Sequence, residues 1–159
     1  MTATPIPASV RIAGQTPPEA VARFVRLATS GVKDEAALAE LLAPDVAFLP
    51  PTYWATWRGR APVAAILGHV GEVFRDFRYR RIMGGGADWA LEFTCRVGER
   101  DAVGVDLLTL DDEGRIARFE VAMRPVGTVA LLREEMMRRV SSDPRFAAFA
   151  GALAKGQGG

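Results

Sequence analysis

Asp106, His69 and Tyr53 are the side chains of this sequence best suited to move a proton or to hold a small polar group. Asp106 lies in GVDLLTLDDEGRIARFEVAMRP, Gly104 to Pro125, where a DDEG turn separates two β-branched, aliphatic and aromatic runs. This is a strand–turn–strand pattern. An acid kept neutral there would donate a hydrogen bond to a carbonyl or enolate, and an ionised one would act as a base. A core aspartate bonded to a backbone N–H, a tyrosine or an arginine is the structural alternative, and the sequence leaves the three open. His69 is the partner base on offer, although its helical position falls about 60° from the Ile66 stripe, at the border of a buried face. Cys95 with His69 would make a nucleophilic pair, but nothing near the thiol lowers its pKa, so packing is expected. Tyr53, Trp54 and Trp57 share the loop PPTYWATWRGR and would wall a flat apolar ligand, with Tyr53 as hydrogen-bond donor.

The alternation of the strands decides which way Asp106 points. With Glu99 and Arg100 at the hairpin tip, Phe93 faces Asp106 and Leu91 faces Leu108. One face then carries Leu91, Phe93, Cys95, Val97, Asp106, Leu108 and Leu110, and the other Glu92, Thr94, Arg96, Val103, Val105, Leu107 and Thr109. Phe119, Val121 and Met123 continue the first face in the last strand. Asp106 therefore sits on the apolar face, where an unpaired charge is costly. Its pKa is expected to rise unless an arginine reaches it.

The elements that must position these groups follow from periodicity. Residues 1–15 read as a flexible arm, 16–140 as one domain and 141–159 as a helical tail. Thr16, Pro17 and Glu19 form a capping-box start for a helix with Val21, Phe24, Val25 and Ala28 on one stripe, ended by Gly31. Asp34 caps a short helix to Leu42, Val46–Leu49 is a strand, and Pro62 opens a third helix reaching Phe77. The period then changes to 2. Arg78–Met83, Trp89–Val97, Ala102–Leu110 and Ile116–Arg124 predict an antiparallel meander, followed by a helix over Thr128–Val140. Phe146, Phe149 and Leu153 share a face in the tail. The run FRDFRYRR, Phe74 to Arg81, reads as a solvated face, and Gly84–Gly86 as a turn, not a phosphate cradle.

At 159 residues, 49% hydrophobic and 25% charged with a net charge of +1, the chain has the make-up of one globular α+β domain with no electrostatic pull toward nucleic acid or membrane. One cysteine and one histidine leave too few ligands for a Cys/His zinc site, and neither metal nor organic cofactor is implied. The N-terminus has no signal-peptide pattern, and a cytoplasmic protein is expected. Val103, Val105 and Leu107 make an apolar row on the outer sheet face, which predicts a homodimer.

Helix one ending at Ser30–Gly31, ELLAPDVAFLPP after the short helix, RGRAPVAAI opening helix three and VDLLTLDDEGRIARFEV in the last hairpin resemble the nuclear transport factor 2-like superfamily. Its members include ketosteroid isomerases and SnoaL-type polyketide cyclases. The resemblance implies a cystatin-like cone, with a curved antiparallel sheet wrapped around three N-terminal helices and a hydrophobic pocket at the open end. Phe24, Phe93, Phe119 and Met123 would join Tyr53, Trp54 and Trp57 in lining it, with Asp106 and His69 as catalytic groups. Isomerase, cyclase, dehydratase or hydrolase chemistry on a small apolar molecule is implied, and a non-catalytic dimeric binding module is the rival. Asp106 matches the acid that ketosteroid isomerases keep protonated in the oxyanion hole. Phe24 stands where they have the oxyanion tyrosine, and Pro50 where they have the general-base aspartate. These two departures point away from Δ5-3-ketosteroid isomerisation by that mechanism.

Overall fold

The chain lays down its helices before most of its strands, and the sheet then closes around them. The protein was analysed as a computed structural model that describes residues 5–30 and 34–154. Gly31, expected to end the first helix, and residues 155–159 of the expected tail lie outside the described residues. Residues expected to form a loose arm include a real strand, β1 (Arg11–Gly14), which runs parallel to the edge of the sheet. Helix α1 (Glu19–Thr29) buries Val21, Phe24 and Val25 along its apolar stripe. It begins at Glu19 with Pro18 in the cap position and no side-chain cap, so Thr16 falls too early for the expected capping box. Helix α2 (Glu35–Leu41) is capped as expected, with the Asp34 carboxylate accepting from the Ala37 N–H at 2.9 Å.

Strand β2 (Leu42–Leu49) starts before Pro44, earlier than expected. The register slips between Leu42 and Ala47, so the proline falls in that irregular stretch, where its missing N–H matters least. Strand β3 (Thr56–Arg58) turns back on β2, and helix α3 (Arg60–Val73) follows. That helix stops at Val73, because Phe74 already begins the long strand β4 (Phe74–Gly85). Strands β5 (Asp88–Val97), β6 (Arg100–Leu110) and β7 (Ile116–Arg124) complete the antiparallel meander.

The hairpin between β5 and β6 is tighter than expected. Val97 pairs with Arg100, which puts Phe93 opposite Gly104 and Leu91 opposite Asp106. The slip is two residues, so every side chain keeps its predicted face even though its partner changes. With a last short strand β8 (Leu153–Ala154), the sheet order is β1-β4-β5-β6-β7-β2-β3-β8, and the parallel pairs β1–β4 and β2–β7 make it mixed, not purely antiparallel. Both parallel partners come from the N-terminal part of the chain, which returns to the sheet from the helical layer.

After the meander comes helix α4 (Val126–Ser142), which seats Leu132 against Val73 and Val97. The short helix α5 (Arg145–Ala148), a 3₁₀ turn (Ala150–Ala152) and the strand β8 (Leu153–Ala154) form the tail, and β8 pairs with β3. The core fills the concave side of the sheet with Phe24, Phe48, Phe93, Phe119, Leu91 and Ile82. Each such side chain contributes about 1.5–3 kcal/mol of apolar burial. Among the described residues no helix is long and apolar enough to cross a membrane.

Candidate functional site in the cone

A cavity of about 300 Å³ remains between the helices and the sheet. Helix α1 contributes Phe24 and Leu27, β2 contributes Phe48, α3 contributes Leu67 and Val70, and α4 contributes Leu132. On the sheet side the wall is Phe74, Phe77 and Tyr79 of β4, Asp106 of β6, and Phe119, Val121 and Met123 of β7. The size is at the lower end for a small-molecule site.

Asp106 is 4% exposed and Tyr79 is 3% exposed. The Tyr79 hydroxyl donates to Asp106 Oδ2 at 2.7 Å. Among the described residues no second side-chain or backbone donor is bonded to this carboxyl. Burial pushes Asp106 up to about 7, and the Tyr79 hydrogen bond pulls only partly in the other direction. Burial and the neighbouring Asp106 raise Tyr79 well above its ordinary value, so it remains a neutral donor. The Cys95 thiol, on the same sheet face, is pushed up to about 12, first by burial and then by Asp106. It is a packing thiol and not a nucleophile.

Tyr79 was hidden in the arginine-rich run read as a solvated face. Phe74, Phe77, Tyr79 and Ile82 all turn inward, although their spacing does not alternate strictly. Two register shifts in β4, between Arg75 and Arg78 and between Tyr79 and Arg81, absorb the extra residues. Asp76 sits in the first of these with φ +52°, a left-handed conformation that aspartate tolerates better than most residues. The arginines between them point outward, where Arg80 bonds Glu92 at 2.5 Å.

The structure brings together only part of the set expected from sequence. Phe24, Phe119, Met123 and Asp106 line the cavity. Phe93 is buried behind the lining, its ring 5.0 Å from that of Phe77. It can lie there because Gly104 opposite has no Cβ; one built there would run into the Phe93 ring and Met123. His69 is outside the lining. Its Nε2 lies 2.8 Å from Asp143 Oδ2 in the tail, and its ring packs 6.0 Å from Phe146. The aromatic loop is also drawn to the tail. Trp57 packs edge-on to Phe146 at 5.6 Å and donates to the Tyr53 hydroxyl at 2.5 Å, while Trp54 is 78% exposed. β3 carries this loop to β8 and away from the cavity, so from that segment only Pro51 lines the wall.

The curved sheet wrapped around helices is the nuclear transport factor 2-like architecture. Within it, the chain belongs to the SnoaL-like domain family, whose model matches residues 21–119. An uncharacterised bacterial protein with a cystatin-like fold from Silicibacter pomeroyi is 57% identical, with a TM-score of 0.81 over 86% of this chain and 95% of that one. A steroid delta-isomerase from Pseudomonas aeruginosa is 39% identical, with a TM-score of 0.73 over 77% of this chain and 90% of that one. An NTF-2 like protein from Burkholderia xenovorans, 21% identical, shares the fold with a TM-score of 0.58 over 69% of this chain and 87% of that one. No curated protein matches the chain.

Proposed function

We propose that the cone binds a small, largely apolar molecule by one polar atom held against the Tyr79–Asp106 pair, and that Asp106 transfers a proton on it in an isomerase-type reaction. The observation that carries this reading is a carboxyl only 4% exposed that nevertheless borders a cavity of otherwise apolar and aromatic character. An acid poised at about 7 is divided between its two forms at neutral pH, so it can take a proton and return it. Tyr79 keeps its own proton and orients the carboxyl. Membership of the SnoaL-like family and the likeness to the Pseudomonas aeruginosa steroid delta-isomerase support this class of chemistry. Phe24 and Pro50 occupy the positions described above, so Asp106 would be the proton carrier itself and not an oxyanion donor to a second base.

Two probes test the reading. 2-Naphthol reports binding by thermal shift, and 3-cyclohexenone reports proton transfer, because moving its α proton to the γ carbon gives 2-cyclohexenone with a new ultraviolet band. The expected result is stabilisation by 2-naphthol in the wild type and its loss in Asp106→Leu. Isomerisation should fall about 100-fold or more in Asp106→Asn. Equal 2-naphthol binding by wild type and Asp106→Leu would remove Asp106 from the site. Binding without isomerisation would leave the rival, a non-catalytic binding module.

The same reading includes a homodimer through the outer sheet face, where Val103 and Val105 are half-buried and Leu107 is 41% exposed. Val105→Glu should sediment as a monomer, and a wild-type monomer at micromolar concentration overturns the dimer. The single buried thiol, Cys95, suits a reducing, cytoplasmic setting.

A further inference from the structure

We infer that the polar end of the ligand is cationic, and that the cone takes a compact hydrophobic ammonium ion with its charge against Asp106. This rests on the reading of the cavity as a ligand site and names the class of ligand it selects.

The first argument is the wall. Phe24, Phe48, Phe74, Phe77, Tyr79 and Phe119 all border the cavity. They hold one another mostly edge to face: Phe24 with Phe119 at 5.3 Å, Phe48 with Phe119 at 5.5 Å, and Phe77 with Tyr79 at 4.9 Å. Aromatic ring faces carry negative potential, so an aromatic lining favours an alkylated ammonium over an anion wherever a face is open to the ligand.

The second argument is the charge inventory. The ionisable groups that line the cavity are Asp34, Asp76, Asp106 and Tyr79, and among the described residues no lysine, arginine or histidine lines it. Asp106 faces Tyr79 on β4 and has Cys95 on β5 within electrostatic range, and each of those is neutral or negative. Among the described residues, an ionised Asp106 thus has a single neutral donor and no counter-charge. A buried carboxylate ordinarily finds a cation or gives up its charge. A ligand ammonium would supply that missing cation.

Asp34 and Asp76 extend the same sign outward. Both are exposed, Asp34 at the start of α2 and Asp76 in the β4 bulge. The Arg96 guanidinium lies 4.0 Å from Asp76 but is not part of the lining. The charged side chains that line the cavity are all carboxylates, a sign that favours a cation over an anion. A neutral phenol or enone brings no charge to compensate an ionised Asp106. A cation fits the ionised form, so binding and ionisation are coupled.

The test uses benzyltrimethylammonium, its uncharged isostere neopentylbenzene, and benzoate. Each competes with 2-naphthol, whose fluorescence reports displacement from the cavity. In the wild type at pH 8 the ammonium should bind at least about tenfold more tightly than neopentylbenzene, and benzoate should not compete. The quaternary nitrogen does not titrate, so any pH dependence belongs to the protein. Its affinity should rise about tenfold from pH 6 to pH 8 as Asp106 ionises. Asp106→Asn should abolish both the preference and the pH dependence. If 2-naphthol binds but neopentylbenzene or benzoate competes as well as the ammonium, the charge class is overturned while the ligand site stands. If 2-naphthol and all three probes fail to bind, the site itself falls with it.

Discussion

Two aspartates of this domain are held by short hydrogen bonds to a ring-bearing side chain, and they are pushed in opposite directions. Asp106, in the cone, accepts from Tyr79 at 2.7 Å and is pushed up to about 7 by burial. Asp143, in the tail, has His69 Nε2 at 2.8 Å, the Arg145 guanidinium at 2.7 Å and the Arg145 N–H at 3.0 Å, and is held well below the usual carboxylate range. The Arg145 bonds are the main cause, and His69 adds to them. Arg145 also bonds Glu35 on α2 at 2.8 Å, so the cluster ties the tail to the helical layer. The tail aspartate has several donors and a cation, Arg145, as structural ion pairs do. The cone aspartate is short of both while bordering empty space. That deficit, more than burial alone, is what the proposed binding role of Asp106 rests on.

The largest effect expected from this contrast concerns Asp106→Asn. The folded pKa lies above the unfolded one, so the native state holds the proton more tightly. Wild-type stability should therefore fall as pH rises from the ordinary aspartate range to about 7, and level off above it. The ionised carboxylate costs the fold about 4 kcal/mol at the plateau. Asparagine keeps an acceptor for Tyr79 and cannot ionise. Thermal denaturation from pH 4 to pH 9 should show the variant gaining on the wild type across this window. Parallel curves would mean that Asp106 is compensated, and the contrast with Asp143 would fail.

The contrast also explains which parts of the site were legible in the sequence. Asp106 could be read because β5 and β6 alternate without interruption, and a two-residue slip in register does not change a face. Phe24, Phe119 and Met123 followed from regular helix and strand periods. Tyr79 could not be read in this way, because the β4 bulges break the period of 2 and surround each inward aromatic with arginines. A weaker signal was present: Phe74, Phe77, Tyr79 and Ile82 are the apolar and aromatic members of an otherwise charged run. His69 and the Tyr53–Trp57 loop were misplaced for a different reason. Their partners are Phe146, Asp143 and β8, and contacts with a tail so far along the chain leave no local pattern. The parallel pairings of β1 with β4 and of β2 with β7 were invisible for the same reason, since non-local strand partners are not encoded in either strand alone.

A second, smaller effect tests whether the tail is fastened by packing. Phe146 is buried against Trp57 and Phe149, with rings at 5.6 Å and 5.3 Å. Phe146→Ala should cost about 3 kcal/mol in the docking of the tail. Hydrogen exchange should speed up through residues 145–154 and in β3, and remain slow in β5 and β6. Uniform acceleration over the whole sheet would instead make the tail part of the central core.

The smallest effect is the most direct check on the comparison. Asp143→Asn removes the charge that Arg145 and His69 both address but leaves an acceptor of the same shape. A carboxylate with a lowered folded pKa contributes stability above its unfolded pKa and loses it as pH falls through the acid range. The variant should therefore be slightly less stable than the wild type at pH 7, and the difference should disappear below the ordinary aspartate range. This is the reverse of the pH trend expected for Asp106. Because Asp143 and His69 do not line the cavity, 2-naphthol affinity should stay within about twofold of wild type, less than a 0.5 kcal/mol change. A larger loss of affinity, with the tail still protected from exchange, would join the two regions into one site and bring His69 back as a partner of Asp106.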